Sequence, residues 1–332
     1  MPENPARKNM TLMNKAFYLA TLYLVAALTA CSPAEEPVRV ADKEKNPKIY
    51  FVYGSLTSEG GVKVVNADGS NERLLASGDN IIEPDGIEVD LENGKLYWTD
   101  MGEGAAAENS ASPDSGMIVR ADLDGSNIEI IVPRGITTTP KQLALDVSGG
   151  KVYWSDRGDV ANEVVSPKIM RANLDGSDVE TLVSDDLISP VGMVLDTAKG
   201  KMYFTDRFAN NIKRANLDGS DVEIVVRDSD YPVDLLIDFE TRLIYWTTRD
   251  PGGVLRADMD GSEIDGKTLT PIVTGLSIPI GITMDRENKK LYYSEVIMSP
   301  PSGYIWESDM DGNHARKIVA TIQPLGIFYT AK

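Results

Sequence analysis

Histidine and cysteine are almost missing from this chain: its 332 residues contain one of each. The single histidine, His314, leaves no second imidazole for a histidine-rich zinc site, and no Ser-His or Cys-His pair can form except around it. It follows the last Asp-Gly, in "DGNHARK", and reads as an exposed turn residue rather than a general base. The single cysteine, Cys31, stands near the N-terminus, so the rest of the chain has no thiol for a disulfide, a nucleophile or a Cys-ligated metal. Positive charge is also short, with 33 Lys and Arg against 51 Asp and Glu and a formal charge of −18. That field repels nucleic-acid phosphate and anionic lipid, so neither is expected as a partner. No long 3.6-residue pattern occurs, which excludes a helical solenoid.

The one long apolar run, "AFYLATLYLVAALTA", covers fifteen residues from Ala16 to Ala30, after Arg7, Lys8 and Lys15. A membrane-spanning helix needs about 20 apolar residues, whereas a run of this length suits the core of a signal peptide. Leu28-Thr29-Ala30-Cys31 resembles a bacterial lipobox, in which small residues admit a signal peptidase and the cysteine takes a diacylglycerol. Ser32, where Asp would be the retention signal, resembles the outer-membrane sorting pattern of Gram-negative lipoproteins. The expectation is a signal peptide over 1–30, lipidated Cys31 with a flexible polar tether over 31–46, and one folded domain over 47–332.

That domain is periodic. "KLYWTD" at Lys95 returns as "KVYWSD" at Lys151, "KMYFTD" at Lys201, "LIYWTT" at Leu243, "KLYYSE" at Lys290 and a worn "KIYFVY" at Lys48. An Asp-Gly hairpin signal follows most copies, as in "ADLDGS" from Ala121 and "ANLDGS" from Ala172 and Ala215. A Pro-x-Gly strand precedes most, as in "EPDGIEVD" from Glu83 and "SPVGMVLD" from Ser189. Four antiparallel strands in about 42–56 residues make a propeller blade. Side-by-side aromatics then make sense, because a blade is covered on both faces. Trp98, Trp154, Tyr203 with Phe204, and Trp246 are read as repeat core. The strand-ending Asp100, Asp156 and Asp206 are expected to pair with the arginines of the next strand, Arg120, Arg171 and Arg214; Arg256 is the fourth copy. The first aromatic strand has no Pro-x-Gly strand before it, and "QPLGIFYT" from Gln323 has no aromatic strand after it. The C-terminus should therefore supply the inner strand of the first blade, closing an all-β six-bladed propeller and removing its free edges.

"YWTD" together with "R-A-x-L-D-G-S" resembles the YWTD propeller of the low-density lipoprotein receptor class B repeats, from about Asn46 to the C-terminus. The resemblance implies the fold. Its animal members sit beside cysteine-rich modules that this chain lacks, so receptor-style uptake does not carry over.

Two functional expectations follow. The first is a lipid-anchored envelope protein, monomeric and without cofactor, that holds a protein, peptide or glycan on its loop-rich end. Glu103, Asn109, Asp114, Arg157, Asp159, Arg207 and Arg249 lie in the loops after the aromatic strands and form the candidate face; Arg157-Gly158-Asp159 also spells an integrin-binding tripeptide, read as chance. The alternative is a hydrolase or lactonase with a divalent metal, calcium foremost, in the central channel. Glu88, Gln142 and Asp234 are its polar candidates on the inner strands. The Asp-Gly hairpins lack the ligand spacing of an EF-hand.

Replacing Cys31 by serine should abolish lipid labelling and membrane retention while the domain stays folded. Unchanged membrane fractionation of that variant would remove the lipobox reading.

Overall fold

Each apolar–aromatic run of the repeat forms a strand, and the computed structural model describes residues 46–55, 58–78, 81–102, 115–159, 165–259 and 269–331. The signal peptide and nearly all of the tether lie outside them, as do Glu103, Asn109 and Asp114. Blade 1 takes β1 (Lys48–Ser55), β2 (Ser58–Asn66) and β3 (Arg73–Ser77). Blade 2 is β4 (Pro84–Asp90), β5 (Lys95–Asp100), β6 (Gly116–Asp122) and β7 (Glu129–Thr137). Blade 3 is β8 (Pro140–Asp146), β9 (Lys151–Asp156), β10 (Lys168–Asn173) and β11 (Glu180–Val183). Blade 4 is β12 (Pro190–Asp196), β13 (Lys201–Asp206), β14 (Asn211–Asn216) and β15 (Glu223–Arg227). Blade 5 is β16 (Pro232–Asp238), β17 (Leu243–Thr248), β18 (Gly253–Asp258) and β19 (Thr270–Thr274). Blade 6 is β20 (Ile278–Asp285), β21 (Lys290–Met298), β22 (Pro301–Asp309) and β23 (Arg316–Thr321). The final strand, β24 (Pro324–Thr330), pairs with β1, so the first blade is built from both ends of the domain. Six four-stranded antiparallel sheets result, and the inner strands contact one another in a closed ring. The expected propeller and its closure are both present.

The inner strand opens on proline in five blades, a position where a missing N–H costs no ladder bond. It ends on aspartate in five blades, and that carboxylate makes the turn to the aromatic strand. Asp90 accepts from Asn93 N at 2.9 Å and Asp146 from Gly149 N at 2.8 Å.

The paired aromatics divide their work between two seams. Trp98 packs with Tyr50, Val52 and Val64 of blade 1, whereas Tyr97 packs with Leu143 and Trp154 of blade 3. Tyr153 faces Phe204 in blade 4, and Tyr203 faces Trp246 in blade 5. Successive residues of a strand point to opposite faces, so one dipeptide fills two interfaces. Burial of each large side chain stabilises by about 1.5–3 kcal/mol.

The strand-end aspartates do not pair with the arginines. Asp100 accepts backbone N–H bonds from Ile82 (2.7 Å), Glu83 (3.2 Å) and Gly102 (2.9 Å). Asp156 does the same for Thr138, Thr139 and Gly158, and also takes the Thr137 hydroxyl at 2.7 Å. Asp206 takes Ser189 N at 2.7 Å and Lys213 Nζ at 2.9 Å. The antiparallel register explains the miss. Arg120 lies opposite Tyr97, while Asp100 lies opposite Met117 at the other end of the strand. The arginines instead pair with Glu129, Glu180 and Glu223 on the outermost strand. Two of them reach across a seam, Arg120 Nη1 to Leu174 O and Arg171 Nη1 to Leu217 O, each at 3.0 Å. The hairpin glycine fits the same seam. Gly176 has φ +84°, and a Cβ there would meet Ile131 O of the preceding blade at 1.8 Å.

In blades 2 to 6 the Thr or Ser before the last motif residue, an acid except for Thr248 in blade 5, is fully buried and joins two blades. Thr205 Oγ1 accepts from Gly192 N at 2.7 Å and donates to Val233 O of blade 5 at 2.7 Å. Thr99, Thr247 and Ser294 repeat both bonds, donating to Lys141 O, Ile280 O and Leu325 O. Ser155 donates to Val191 O. Five seams carry this bridge; at the sixth, between blades 1 and 2, Val52 occupies the position.

Thr205→Val keeps the shape but leaves Gly192 N–H and Val233 C=O unpaired. It should lower unfolding free energy by about 1–3 kcal/mol, while Thr205→Ser stays near wild type. Urea titration of both variants checks this, and equal loss in the two would mean packing rather than the hydroxyl matters.

Candidate functional site

The loops after the aromatic strands and the inter-blade connections emerge at one end of the ring. The residue following the last motif residue, an acid in blades 2 to 4 and Thr248 in blade 5, is fixed there by its backbone. Met101 N donates to Glu83 O, Arg157 N to Thr139 O, Arg207 N to Ser189 O and Arg249 N to Tyr231 O. Blades 3, 4 and 5 therefore present arginine at one equivalent place, a concentration of positive charge in a strongly acidic chain. Arg157, Asp159 and Arg207 are buried and Arg249 is half-buried, so the first three line the interior of this end rather than its outer surface. The tripeptide Arg157-Gly158-Asp159 is accordingly no exposed recognition loop.

Two residues not singled out from sequence complete the mouth. Asp85 and Lys141 open the inner strands of blades 2 and 3, where the other blades carry Val191, Val233, Ile280 and Leu325. Their ion pair, 3.2 Å between Nζ and Oδ1, is buried, and Nζ also lies 2.9 Å from Met101 Sδ. Burial pulls the Lys141 ammonium down to about 8; Asp85 opposes that shift, while Arg157 and Arg207 reinforce it. The signal in sequence was a charge at the second position of a strand that is otherwise apolar there.

The alternative site residues sit deeper. Gln142 and Asp234 replace the inner-strand glycine in blades 3 and 5, and Gln142 Nε2 is buried without a hydrogen-bond partner. Asp234 turns its carboxylate onto the backbone, accepting from Leu235 N at 2.9 Å and from Ile282 N of blade 6 at 3.1 Å. Desolvation raises it to about 7, with Asp85 adding to the rise. Glu88 faces it across the ring and is also pushed well above the usual carboxylate range, first by burial and then by Asp234. Among the described residues no three carboxylates, cysteines or histidines gather in a way that could hold a metal ion. His314 lies at the opposite end, exposed at φ +57°, with Nδ1 3.1 Å from Asp309 Oδ2.

Around the mouth, Ile188, Phe208 and Tyr231 are exposed apolar side chains on blade 4 and its two connections. The rings of Phe208 and Tyr231 meet edge to face at 6.1 Å, and the Arg207 guanidinium lies 4.5 Å over Phe208. Tyr231 has φ +56°, an unusual conformation for a bulky residue, held by Asn210 Oδ1 on its N–H at 2.8 Å. An apolar rim beside buried cations is equipped to bind.

The fold defines a six-bladed, four-stranded-per-blade β-propeller. Residues 150–197 match the low-density lipoprotein receptor repeat class B family. A low-density lipoprotein receptor-related protein 1 of Pyricularia oryzae is 37% identical over 164 residues, 46% of this chain and 48% of that protein. The chain therefore spans about half the length of that relative. In three dimensions it resembles a chain of a nidogen–laminin complex, with a TM-score of 0.64 and 20% identity over 86% of this chain and 98% of that one. It also resembles a gluconolactonase of Xanthomonas campestris, with a TM-score of 0.55 and 16% identity over 76% of this chain and 85% of that one. At these identities the structural likenesses establish the fold alone.

Because its carboxyl is raised in the native state, Asp234 binds a proton up to about pH 7 when folded and only to about pH 4 when unfolded. Its contribution to stability is thus full below pH 4 and lost as the pH rises through 7. Asp234→Asn should flatten the decline in unfolding free energy between pH 4.5 and 8 by on the order of a few kcal/mol. Denaturant curves at the two pH values test this, and an unchanged slope would show that Asp234 titrates normally.

Proposed function

We propose that this protein is a lipid-anchored binding protein of the bacterial cell envelope, held by Cys31, whose loop-rich end captures a protein or peptide ligand. The observation that carries this reading is the pairing of an exposed aromatic rim, Phe208 and Tyr231, with the buried cations Lys141, Arg157 and Arg207 at the channel mouth. A partner segment with an acidic side chain beside an apolar one matches both parts: the carboxylate meets the cations and the apolar group meets the rim. The aromatic side chains are of the type that dominates binding energy at interfaces. The N-terminal order of basic residues, apolar core, small residues and cysteine supports export and anchoring. The relative's name as a receptor-related protein is in keeping with a binding role.

Envelope extract passed over the immobilised Cys31→Ser chain tests the choice of end. Phe208→Ala with Tyr231→Ala should weaken capture roughly ten-fold or more without lowering the melting temperature, and capture should fall with added salt. His314→Ala, at the far end, should leave capture unchanged. Full capture by the aromatic double variant, or loss with His314→Ala, would place the ligand elsewhere.

A further inference from the structure

The repeats provide an internal comparison that isolates one seam. In blades 2, 3 and 4 an arginine on the third strand pairs with a glutamate directly opposite on the outer strand, with Nη2–O distances of 2.5, 2.7 and 2.6 Å. The guanidinium lies beside the tyrosine of its own blade. Arg171 and Arg214 reach the hydroxyls of Tyr153 and Tyr203 at 3.3 and 3.4 Å and lie over those rings at 5.6 and 5.7 Å. It also takes acceptors from the neighbouring hairpin: Leu174 O for Arg120, Leu217 O for Arg171, and Met310 O with Asp311 for Arg256 in blade 5. At the seam between blades 1 and 2, Val64 stands in this position and the join is apolar, with Leu123 packed on it.

Between blades 6 and 1 the pattern is reversed. Glu307 occupies the arginine position and Arg316 the glutamate position. The hairpin residue facing them, leucine or methionine in the other blades, is Ala67. Both changes remove bulk from one place, and a cleft of ≈ 380 Å³ opens there between the Ala67–Asp68 hairpin, Tyr292 and Glu307. Its walls carry the acceptors that the arginines use elsewhere: a hairpin carbonyl, a hairpin aspartate (Asp68, placed like Asp311), a carboxylate and the equivalent tyrosine. Arg316 and Lys290 both approach Glu307 from within blade 6, at 3.1 and 3.4 Å, looser than the pairs of blades 2–4. The Arg316 side chain is 57% exposed. Asp285 adds a third carboxylate to the wall. Burial, then Glu307 and Asp285, push the Tyr292 phenol up, against the opposing Arg316.

We propose that this cleft binds the guanidinium of an arginine side chain presented by a second polypeptide, which takes the place that the chain's own arginines fill at four other seams. The ligand's planar fork reaches Glu307, Asp68 and the Ala67 carbonyl, beside the Tyr292 ring that Tyr329 stacks on at 5.4 Å. The site is at the Asp-Gly end, away from the loop-rich mouth, and does not depend on the ligand proposed there.

The test uses the purified Cys31→Ser chain and a fluorescein-labelled acetyl-Gly-Arg-Gly-amide peptide in an anisotropy titration. The competitors are the unlabelled arginine peptide and its neutral citrulline isostere. Saturable binding displaced by arginine, with citrulline at least ten-fold weaker, is expected. Glu307→Gln should weaken binding by about ten-fold. Two further variants should abolish it by filling the cleft from within: Ala67→Leu, and Glu307→Arg combined with Arg316→Glu, which restores the order of blades 2–4. Equal competition by citrulline, or undiminished binding by the folded Ala67→Leu variant, would overturn the proposal.

Discussion

A single buried hydroxyl at each of five seams ties this ring together. At each of five seams a backbone carbonyl of one blade faces the aromatic strand of its neighbour and needs a donor. Thr99, Ser155, Thr205, Thr247 and Ser294 meet that need with one oxygen, accepting from one side in four cases and donating to the other in all five. A hydroxyl is the smallest group that can do both. The aromatic pair beside it fills the two flanking seams, and the acid after it fixes the connection to the blade. The strand motif is thus three adjacent joints, with hydrophobic, hydroxyl and carboxylate parts, each acting on a different neighbour.

At the loop-rich end, the same framework allows charge to collect. Because Asp156 and Asp206 are engaged by backbone amides, they do not neutralise the arginines that follow them in sequence. Arg157 and Arg207 both act to lower the Lys141 ammonium, against the opposing Asp85.

Much of the architecture was legible because repetition multiplies weak signals. The six aromatic strings, the Pro-x-Gly runs and the unmatched terminal copies sufficed for blade number, strand count and closure. The joints were not legible. The role of Thr205 depends on Gly192 N and Val233 O, backbone atoms with no signature in sequence. The Asp–Arg pairing failed because Asp100 and Arg120 lie on adjacent strands but at opposite ends of an antiparallel ladder. Arg157, Asp159 and Arg207 were found as candidates, but their burial was not foreseen, since a loop position gives no measure of how a ring closes over it. Phe208 and Tyr231 were passed over because a lone aromatic in a short loop carries no period.

The manner of closure also bears on how the domain meets mechanical force. The chain enters the propeller through β1, which is not an edge strand: it is hydrogen-bonded to β24 on one side and β2 on the other. A pull along β1, as from a tether held at a surface, loads both ladders in shear, so many hydrogen bonds must yield together. An entering strand at the rim of a sheet would instead unzip one bond at a time. A domain held from upstream of Lys48 is thus attached where its sheet resists extraction from both sides, and it can be tugged without the first blade peeling open.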